Sequence, residues 1–347
     1  MAKCPNLKKQ TPSPGESARS RPMSLFHKDK PFLTPDTQAF IDELARQKTP
    51  AVNDLSPQDA RKLLSQAQAN PKKLMPAEIK DLDLKVGPTG TVSTRFVRPE
   101  SAKGKLPVIL YIHGGGWVMG DKHTHERLIR ELAQGAQAAV VFPDYTPSPE
   151  AQFPVPLDQI DAVFTHVTDN AAQYDLDPTR VAFAGDSVGG NMAAAMTLRV
   201  MDRKGPKPCF QLLLYPVTDA AFDTDSYKEF SDGPWLTRDA MKWFWDQYAP
   251  DEDKRKDFMA SPLRAATERL KGLPPTLIIT DENDVLRDEG EAYARKLMQA
   301  GVPTACARYL GACHDFLMLD ALADTAPARA ALRQCCNELR LHLHGAD

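Results

Sequence analysis

One serine in this sequence is framed by glycines in a way that suits nucleophilic chemistry. Ser187 lies in the segment GDSVG at residues 185–189, which fits the pattern G-x-S-x-G. An apolar run, Val181–Ala184, precedes it, and a run of small residues over 191–199 follows it, so a strand–turn–helix context is predicted. Such a turn exposes the serine hydroxyl, and the helix start places partial positive charge beside it. The alternative interpretation is a glycine-rich turn without chemistry.

A second glycine-rich segment, HGGGW at residues 113–117, directly follows the apolar run Val108–Ile112. Successive glycines at a strand end can direct several backbone N–H groups toward one point, which suits an oxygen that gains negative charge during attack on a carbonyl. No G-K-[ST] follows, so a phosphate-binding P-loop is excluded. We predict that His113 has a structural role.

A serine hydroxyl needs a general base to become a nucleophile, and the base needs a carboxylate to orient it. Downstream of Ser187 the sequence contains His314, His342 and His344. His314 follows the predicted strand Thr304–Leu310, whereas the other two lie in the terminal tail. We therefore predict that His314 is the base.

The orienting carboxylate is less clearly marked, because several acidic residues crowd one segment. The run Thr276–Thr280 is followed by DENDVLRD at residues 281–288. A position directly after the strand favours residues 281–284 over 288. The residues alone do not choose among them.

The pattern of apolar residues predicts the strands and helices that position these groups. Alternation over Ile79–Lys85 and Thr91–Val97 predicts an antiparallel hairpin. Six continuous apolar runs follow, each with a helix after it: Val108–Ile112, Ala138–Phe142, Val181–Ala184, Phe210–Tyr215, Thr276–Thr280 and Thr304–Leu310. Continuous apolar strands suit a sheet that is buried on both faces. We predict an α/β fold with a mostly parallel central sheet and helices on both faces.

The chain is predicted to divide into an N-terminal arm (1–35), N-terminal cap helices (36–75) and a catalytic domain (76–347) that carries a cap insertion at about 219–261. Asp36 and Ser56 are the predicted N-caps of two early helices, the second with Pro57 at its first position. Thr237 is the predicted cap of a helix over about 238–248. The insertion is rich in aromatic residues, most of which should pack the cap onto the sheet while one or two line a substrate pocket.

These motifs together resemble the hormone-sensitive-lipase-like branch of the α/β-hydrolases, over roughly Val108 to Phe316. The segments that carry the resemblance are HGGGW at 113–117, Asp144-Tyr145 with Pro149-Glu150 and Phe153-Pro154, GDSVGG at 185–190, Tyr215-Pro216, DVLRDE at 284–289, and Gly311 with His314-Asp315-Phe316. The resemblance implies an α/β-hydrolase fold with a helical cap, and hydrolysis of short- to medium-chain acyl esters.

The resemblance also implies roles for residues that the pattern alone left open. Asp284 becomes the acid of a Ser187–His314–Asp284 triad, and the backbone N–H groups of Gly115, Gly116 and Val188 become the oxyanion hole. The sequence departs from the family pattern at several positions: Val188 replaces alanine, Val285 replaces proline, Asp315 replaces glycine, and Thr146-Pro147-Ser148 replaces the usual Arg-Leu-Ala. Asp315 puts an additional carboxylate beside the predicted base.

Charge and composition argue against several classes of function. The net charge of −3 and the absence of a basic stripe argue against nucleic-acid binding. No apolar run reaches the ~20 residues of a membrane-spanning helix, and no secretory signal is evident. We therefore predict a cytoplasmic protein whose six cysteines are reduced thiols, and no metal or cofactor.

Alternatives of other kinds remain at this stage. A non-catalytic small-ligand receptor on the same fold is one, and it is disfavoured by the presence of His314. A hydrolase of amides, lactones or carbamates would use the same residues as an esterase. The expected partner is a small-molecule ester, and the resemblance leaves a homodimer open.

Overall fold

The computed structural model describes residues 31–71, 73–100 and 102–345. Eight strands form one sheet in the order β1-β2-β4-β3-β5-β6-β7-β8. The strands are β1 (Ala77–Leu84), β2 (Val92–Pro99), β3 (Leu106–Ile112), β4 (Ala139–Asp144), β5 (Leu176–Asp186), β6 (Phe210–Leu214), β7 (Thr276–Asn283) and β8 (Thr304–Cys313). β2 pairs antiparallel with β1 and β4, and the pairs from β4 onward are parallel. The predicted hairpin and mostly parallel sheet are confirmed.

Helices cover both faces of the sheet. They are α1 (Pro35–Gln47), α2 (Pro57–Ala67), α3 (Glu126–Ala136), α4 (Val155–Asp169), α5 (Val188–Met201), α6 (Asp225–Glu229), α7 (Arg238–Tyr248), α8 (Thr267–Leu270), α9 (Arg287–Gln299) and α10 (Ala326–His344). Alternate strand residues enter two separate cores. Val108 and Leu110 pack with α4, α5 and α9, whereas Ile109 and Tyr111 pack with α3 and α10. Burial of both strand faces explains the continuous apolar runs.

The two early helices form as predicted, with one difference in capping. Ser56 accepts a hydrogen bond from Asp59 N and caps α2, as predicted. Thr34, and not Asp36, is the N-cap of α1, because Pro35 with its fixed φ takes the first helical position and Asp36 falls in the first turn. Most of the predicted N-terminal arm lies outside the described residues.

The segment predicted as the cap insertion (219–261) contains helices and no strand among its residues, all of which the structure describes. Thr237 accepts a hydrogen bond from Ala240 N and caps α7, as predicted. The rings of Trp117 and Trp245 have their centroids 4.7 Å apart. Trp245 therefore packs α7 against the glycine-rich loop after β3. The domain boundaries themselves stay predictions.

The helices and the cysteines can be compared with the predictions on membrane spans and thiols. Within the described residues, no helix has both the length and the apolar character that crossing a membrane requires. The described cysteines are free thiols: Cys209, Cys306, Cys313, Cys335 and Cys336. The last two lie on α10.

Candidate active site

Ser187 occupies the sharp turn between β5 and α5, as predicted. Its backbone has φ 55° and ψ −120°, a region that costs a non-glycine residue about 1–3 kcal/mol. Backbone hydrogen bonds hold this geometry: Ser187 N donates to Leu214 O at 2.8 Å, and Val217 N donates to Ser187 O at 3.2 Å. A Cβ at Gly189 would lie 2.0 Å from Ile112 O, so this position has room for a hydrogen alone. The glycines of the motif therefore permit the close contact of β3, β5 and α5.

The predicted base and one of the competing carboxylates meet at this serine. His314 Nε2 lies 3.0 Å from Ser187 Oγ, and His314 Nδ1 lies 2.7 Å from Asp284 Oδ2. These two contacts require the imidazole tautomer in which Nδ1 carries the proton. The serine hydroxyl then donates to Nε2, and Nδ1–H donates to the Asp284 carboxylate. Leu286 N donates to Asp284 Oδ1 at 3.0 Å and fixes the carboxylate plane. Among the acidic residues that the sequence left open, Asp284 is the one whose carboxylate contacts His314 Nδ1.

These three side chains are shielded from solvent. Ser187 is 5 %, His314 2 % and Asp284 1 % exposed. Electrostatic interactions between them are stronger here than in water, because the surroundings are poorly polarisable.

The glycine-rich loop lies against the same turn. Gly115 and Gly116 have φ of 99° and 65°, and Met119 N donates to Gly115 O at 2.8 Å to close the loop. Within the described part of the chain, the N–H groups of Gly115, Gly116 and Val188 donate to no other protein group. Val188 is the first residue of α5, where helix geometry leaves the N–H unpaired. Three unpaired donors therefore border the serine turn.

A buried network that the sequence did not reveal fixes this loop to the turn. Asp186 Oδ1 accepts hydrogen bonds from Gly114 N at 3.1 Å and from Tyr111 Oη at 2.7 Å, and Asp186 Oδ2 lies 3.2 Å from His125 Nε2. Burial lowers the pKa of His125, but the charge of Asp186 outweighs this effect and the pKa is raised above its usual value. His113 stacks on Tyr145 and makes no contact with the serine, in keeping with its predicted structural role. The aspartate beside the nucleophile thus positions the loop.

Arg61 of α2 anchors the N-terminal helices to the loops around the site. Its Nε donates to Val118 O and its Nη2 to Ser148 O, both at 2.8 Å, and the guanidinium also pairs with Glu150 at 2.6 Å. The planar guanidinium serves all three partners at once, which a lysine could not do. The glycine-rich loop is therefore held from α2 as well as from Asp186.

Asp315 follows the histidine with φ 65° and belongs to the site. Its Oδ2 accepts a hydrogen bond from Trp235 Nε1 at 3.1 Å, and its Oδ1 lies 3.5 Å from His314 Nε2. The Trp235 ring in turn packs on Phe40 of α1, with centroids 5.4 Å apart. Sequence reasoning identified the additional carboxylate but not its tryptophan partner. Trp235 is one of the insertion aromatics that reach the site.

Burial and charge act against each other at the histidine. Burial lowers the pKa of His314, but the nearby carboxylates of Asp284 and Asp315 raise it, and the net direction is upward. Burial raises the pKa of Asp315, while the imidazole of His314 lowers it, and the net direction is again upward. The nearby carboxylates therefore stabilise the imidazolium form that a general base reaches during catalysis.

One group of potential metal ligands occurs among the described residues. A side-chain ligand atom from each of Asp281, Asp284 and His314 lies within 4.8 Å of the others. His314 Nδ1 already shares its proton with Asp284, so a cation at this point would displace the contact that orients the imidazole. We interpret the cluster as a hydrogen-bonded one.

Comparisons with known proteins agree with this fold and site. A family model described as alpha/beta hydrolase fold matches residues 109–318. The carboxylesterase NlhH of Mycobacterium tuberculosis is 39 % identical over 244 residues, covering 70 % of this chain and 76 % of its own. The carboxylic ester hydrolase LipN of the same organism is 38 % identical over 283 residues, covering 80 % and 73 %. The crystal structure of a thermostable esterase from Pseudomonas putida superposes with a TM-score of 0.89 at 47 % identity, covering 91 % of this chain and 99 % of that one.

The fold and the matched segment define an α/β-hydrolase. The chain belongs to the alpha/beta hydrolase fold family, and the predicted resemblance to its hormone-sensitive-lipase-like branch is confirmed. The predicted enzyme class, carboxylic ester hydrolase, is likewise the class of these relatives.

Proposed function

We propose that this protein is a serine carboxylesterase that hydrolyses short- to medium-chain acyl esters through a Ser187–His314–Asp284 triad. The observation that carries the proposal is the continuous hydrogen-bond chain from Ser187 Oγ to Asp284, with contacts of 3.0 and 2.7 Å. Similarity to named esterases supports the same class. An intact histidine within reach of the serine supports an enzyme over a non-catalytic receptor.

The proposed reaction has two acyl-transfer steps. Ser187 Oγ attacks the ester carbonyl while His314 Nε2 takes its proton, and Asp284 stabilises the imidazolium that forms. His314 then gives the proton to the departing alcohol, leaving an acyl-serine. Water, deprotonated by His314, attacks the acyl-serine, and His314 returns the proton to Ser187 Oγ as the acid is released. Both tetrahedral intermediates carry an oxyanion, which the N–H groups of Gly115, Gly116 and Val188 are proposed to bind.

The acyl preference can be tested with p-nitrophenyl esters from acetate to palmitate and the purified protein. We expect a maximum of kcat/KM at short to medium chains, because Ser187 is only 5 % exposed and two aromatic residues of the cap insertion, Trp235 and Phe244, lie against Asp315 and Gly116 beside it. A rising rate through palmitate would contradict the chain-length proposal while leaving the ester-hydrolase class intact. Matched amide and lactone substrates would separate the remaining hydrolase alternatives.

Replacing Gly116 by alanine should impair the oxyanion hole. A Cβ at this position would lie 2.1 Å from Phe244 Cδ1, and φ of 65° is unfavourable for alanine, so the loop must move. We expect kcat to fall by about 10²-fold or more, the size seen when one oxyanion donor is lost. Steady-state kinetics with p-nitrophenyl butyrate would measure it. Gly90→Ala is the control, since a Cβ there meets nothing within 4 Å at a comparable φ of 78°; equal effects of both variants would contradict the proposed role of Gly116.

Replacing Asp315 by asparagine should shift the pH dependence. The Asp315 carboxylate raises the pKa of His314, so its removal lowers this pKa, and the acid limb of kcat/KM should move to lower pH by roughly half a unit or more. A full pH–rate profile would detect the shift. The exposed Asp232, three residues before Trp235 in the insertion, provides the control Asp232→Asn. An upward shift, or the same shift in the control, would contradict the electrostatic role.

A further inference from the structure

Asp281 is a buried acid that the proposed reaction does not use. It lies near the end of β7 and its backbone pairs with Tyr309 of β8. Its residue exposure is 0 %, and neither carboxylate oxygen has a hydrogen-bond donor from another described residue. An ionised carboxylate without a donor is very unfavourable in such surroundings, so a stable fold requires that its charge be removed or compensated.

The neighbours of Asp281 are mostly acidic. The titratable groups that face it are the carboxyl groups of Asp284 and Asp315, the imidazole of His314, the phenol of Tyr215 and the thiol of Cys313. Burial raises the pKa of Asp281, the adjacent charge of Asp284 raises it further, and the imidazole of His314 opposes them. No lysine or arginine is among these groups.

A carboxylate oxygen of Asp281 lies within 4.8 Å of one of Asp284, and the surroundings of the two groups indicate which of them holds a proton. Asp284 accepts hydrogen bonds from His314 Nδ1 at 2.7 Å and from Leu286 N at 3.0 Å, and both donors stabilise its ionised form. Asp281 accepts none of this kind. Two adjacent buried carboxyl groups cannot both ionise at low cost, so the one without donors keeps the proton.

We propose that Asp281 is a neutral acid that donates its O–H to the carboxylate of Asp284, and that it is a positioning residue for the triad. This inference rests on the proposed function, because it gives the triad acid a third donor beside His314 and Leu286. The donor holds the Asp284 carboxylate in the orientation that His314 needs. It also spreads the negative charge of Asp284, which reduces the pull of that charge on the imidazole proton.

Two consequences for pH dependence follow from a neutral Asp281. Loss of the donor concentrates the negative charge on Asp284, which stabilises the imidazolium and raises the pKa of His314. Ionisation of Asp281 at alkaline pH places a second anion beside Asp284 and should reduce activity there. An Asp281 that is already ionised would behave in the opposite way, because any neutral replacement would remove a negative charge and lower the pKa of His314.

The experiment compares pH profiles of kcat/KM for the wild type, Asp281→Asn and Asp281→Ala, each checked for its Tm. Asparagine is uncharged and its amide N–H can replace the donor, so the acid limb should stay within about 0.3 pH unit of the wild type. Alanine has no donor, so its acid limb should move upward by about half a unit or more. A downward shift in both variants, or profiles for both that coincide with the wild type, would overturn the proposal.

Infrared difference spectra supply a second measurement that does not depend on the alanine variant folding. With carbon-13-labelled aspartate, the wild type minus Asp281→Asn spectrum at neutral pH should contain the C=O band of a protonated carboxyl group. Carboxylate bands in its place would overturn the assignment of the proton. Asp288→Asn is the control, because Asp288 lies in the same segment but accepts hydrogen bonds from Ser226 N at 2.8 Å and from Arg287 Nε at 2.9 Å. Failure of Asp284→Asn to reduce activity would instead contradict the proposed triad, so the two hypotheses can fail separately.

Discussion

Replacement of Ser187 by alanine should reduce kcat for p-nitrophenyl butyrate by roughly 10⁴- to 10⁶-fold, the loss found when a catalytic serine is removed. Alanine lacks the Oγ that lies 3.0 Å from His314 Nε2, so no acyl-enzyme can form. The strained backbone at this residue has no need of the hydroxyl, because the hydrogen bonds of its N–H and C=O groups join main-chain atoms. The variant should therefore fold with a Tm close to that of the wild type.

Covalent labelling tests independently whether Ser187 is the nucleophile. An organophosphate should add one adduct to the wild type, detectable by intact mass and mapped to Ser187, and none to Ser187→Ala. Ser65→Ala, at an exposed position on α2, is the matched control and should keep both activity and labelling. Hydrolysis at the wild-type rate by Ser187→Ala would refute the nucleophile assignment.

Replacement of Asp284 by asparagine should lower kcat/KM by about 10⁴-fold at neutral pH. The carboxylate can only accept a hydrogen bond, so it selects the His314 tautomer with the proton on Nδ1 and leaves Nε2 free to take the serine proton. An asparagine amide can donate to Nδ1, which moves the imidazole proton to Nε2 and removes the base. The same change deprives the imidazolium of its counter-charge.

Steady-state kinetics of Asp284→Asn and of the control variant Asp288→Asn would measure this effect. The control alters a carboxylate four residues away that contacts Ser226 N. We expect the control to stay within a few-fold of the wild type. A loss smaller than tenfold in Asp284→Asn would contradict its role as the triad acid. A large loss of kcat/KM in Asp281→Asn together with a small loss in Asp284→Asn would indicate that Asp281, and not Asp284, is the triad acid.

The sequence predicted the sheet and the serine turn well because both depend on local patterns. Apolar runs of four to seven residues, each followed by a helix, are typical of strands buried on two faces, and glycines at 185 and 189 leave few conformations for the turn between strand and helix. His314 could be predicted because few histidines follow Ser187. The N-cap of α1 was misplaced by two residues, since Pro35 at the first helical position counts for more than a nearby carboxylate.

Contacts between residues distant in the chain could not be predicted from local patterns. Spacing alone left Asp281 and Asp284 equivalent, because both follow the same strand and the difference lies in which side chain meets His314. The Trp235–Asp315 hydrogen bond joins residues 80 positions apart. The Asp186 network depends on Tyr111 and His125 reaching the same carboxylate from two elements, which no periodicity in either segment indicates.

The guanidinium of Arg61 has a consequence for how this chain can be recombined with its relatives. It binds two main-chain carbonyls, Val118 O and Ser148 O, which any sequence supplies, but it also pairs with the Glu150 side chain, which a foreign sequence need not contain. Helix α2 and the loops after β3 and β4 are thus a single inheritable unit despite their separation in sequence. A chimera whose crossover lies between residues 67 and 106 would divide that unit, whereas one with its crossover beyond Glu150 would keep it whole.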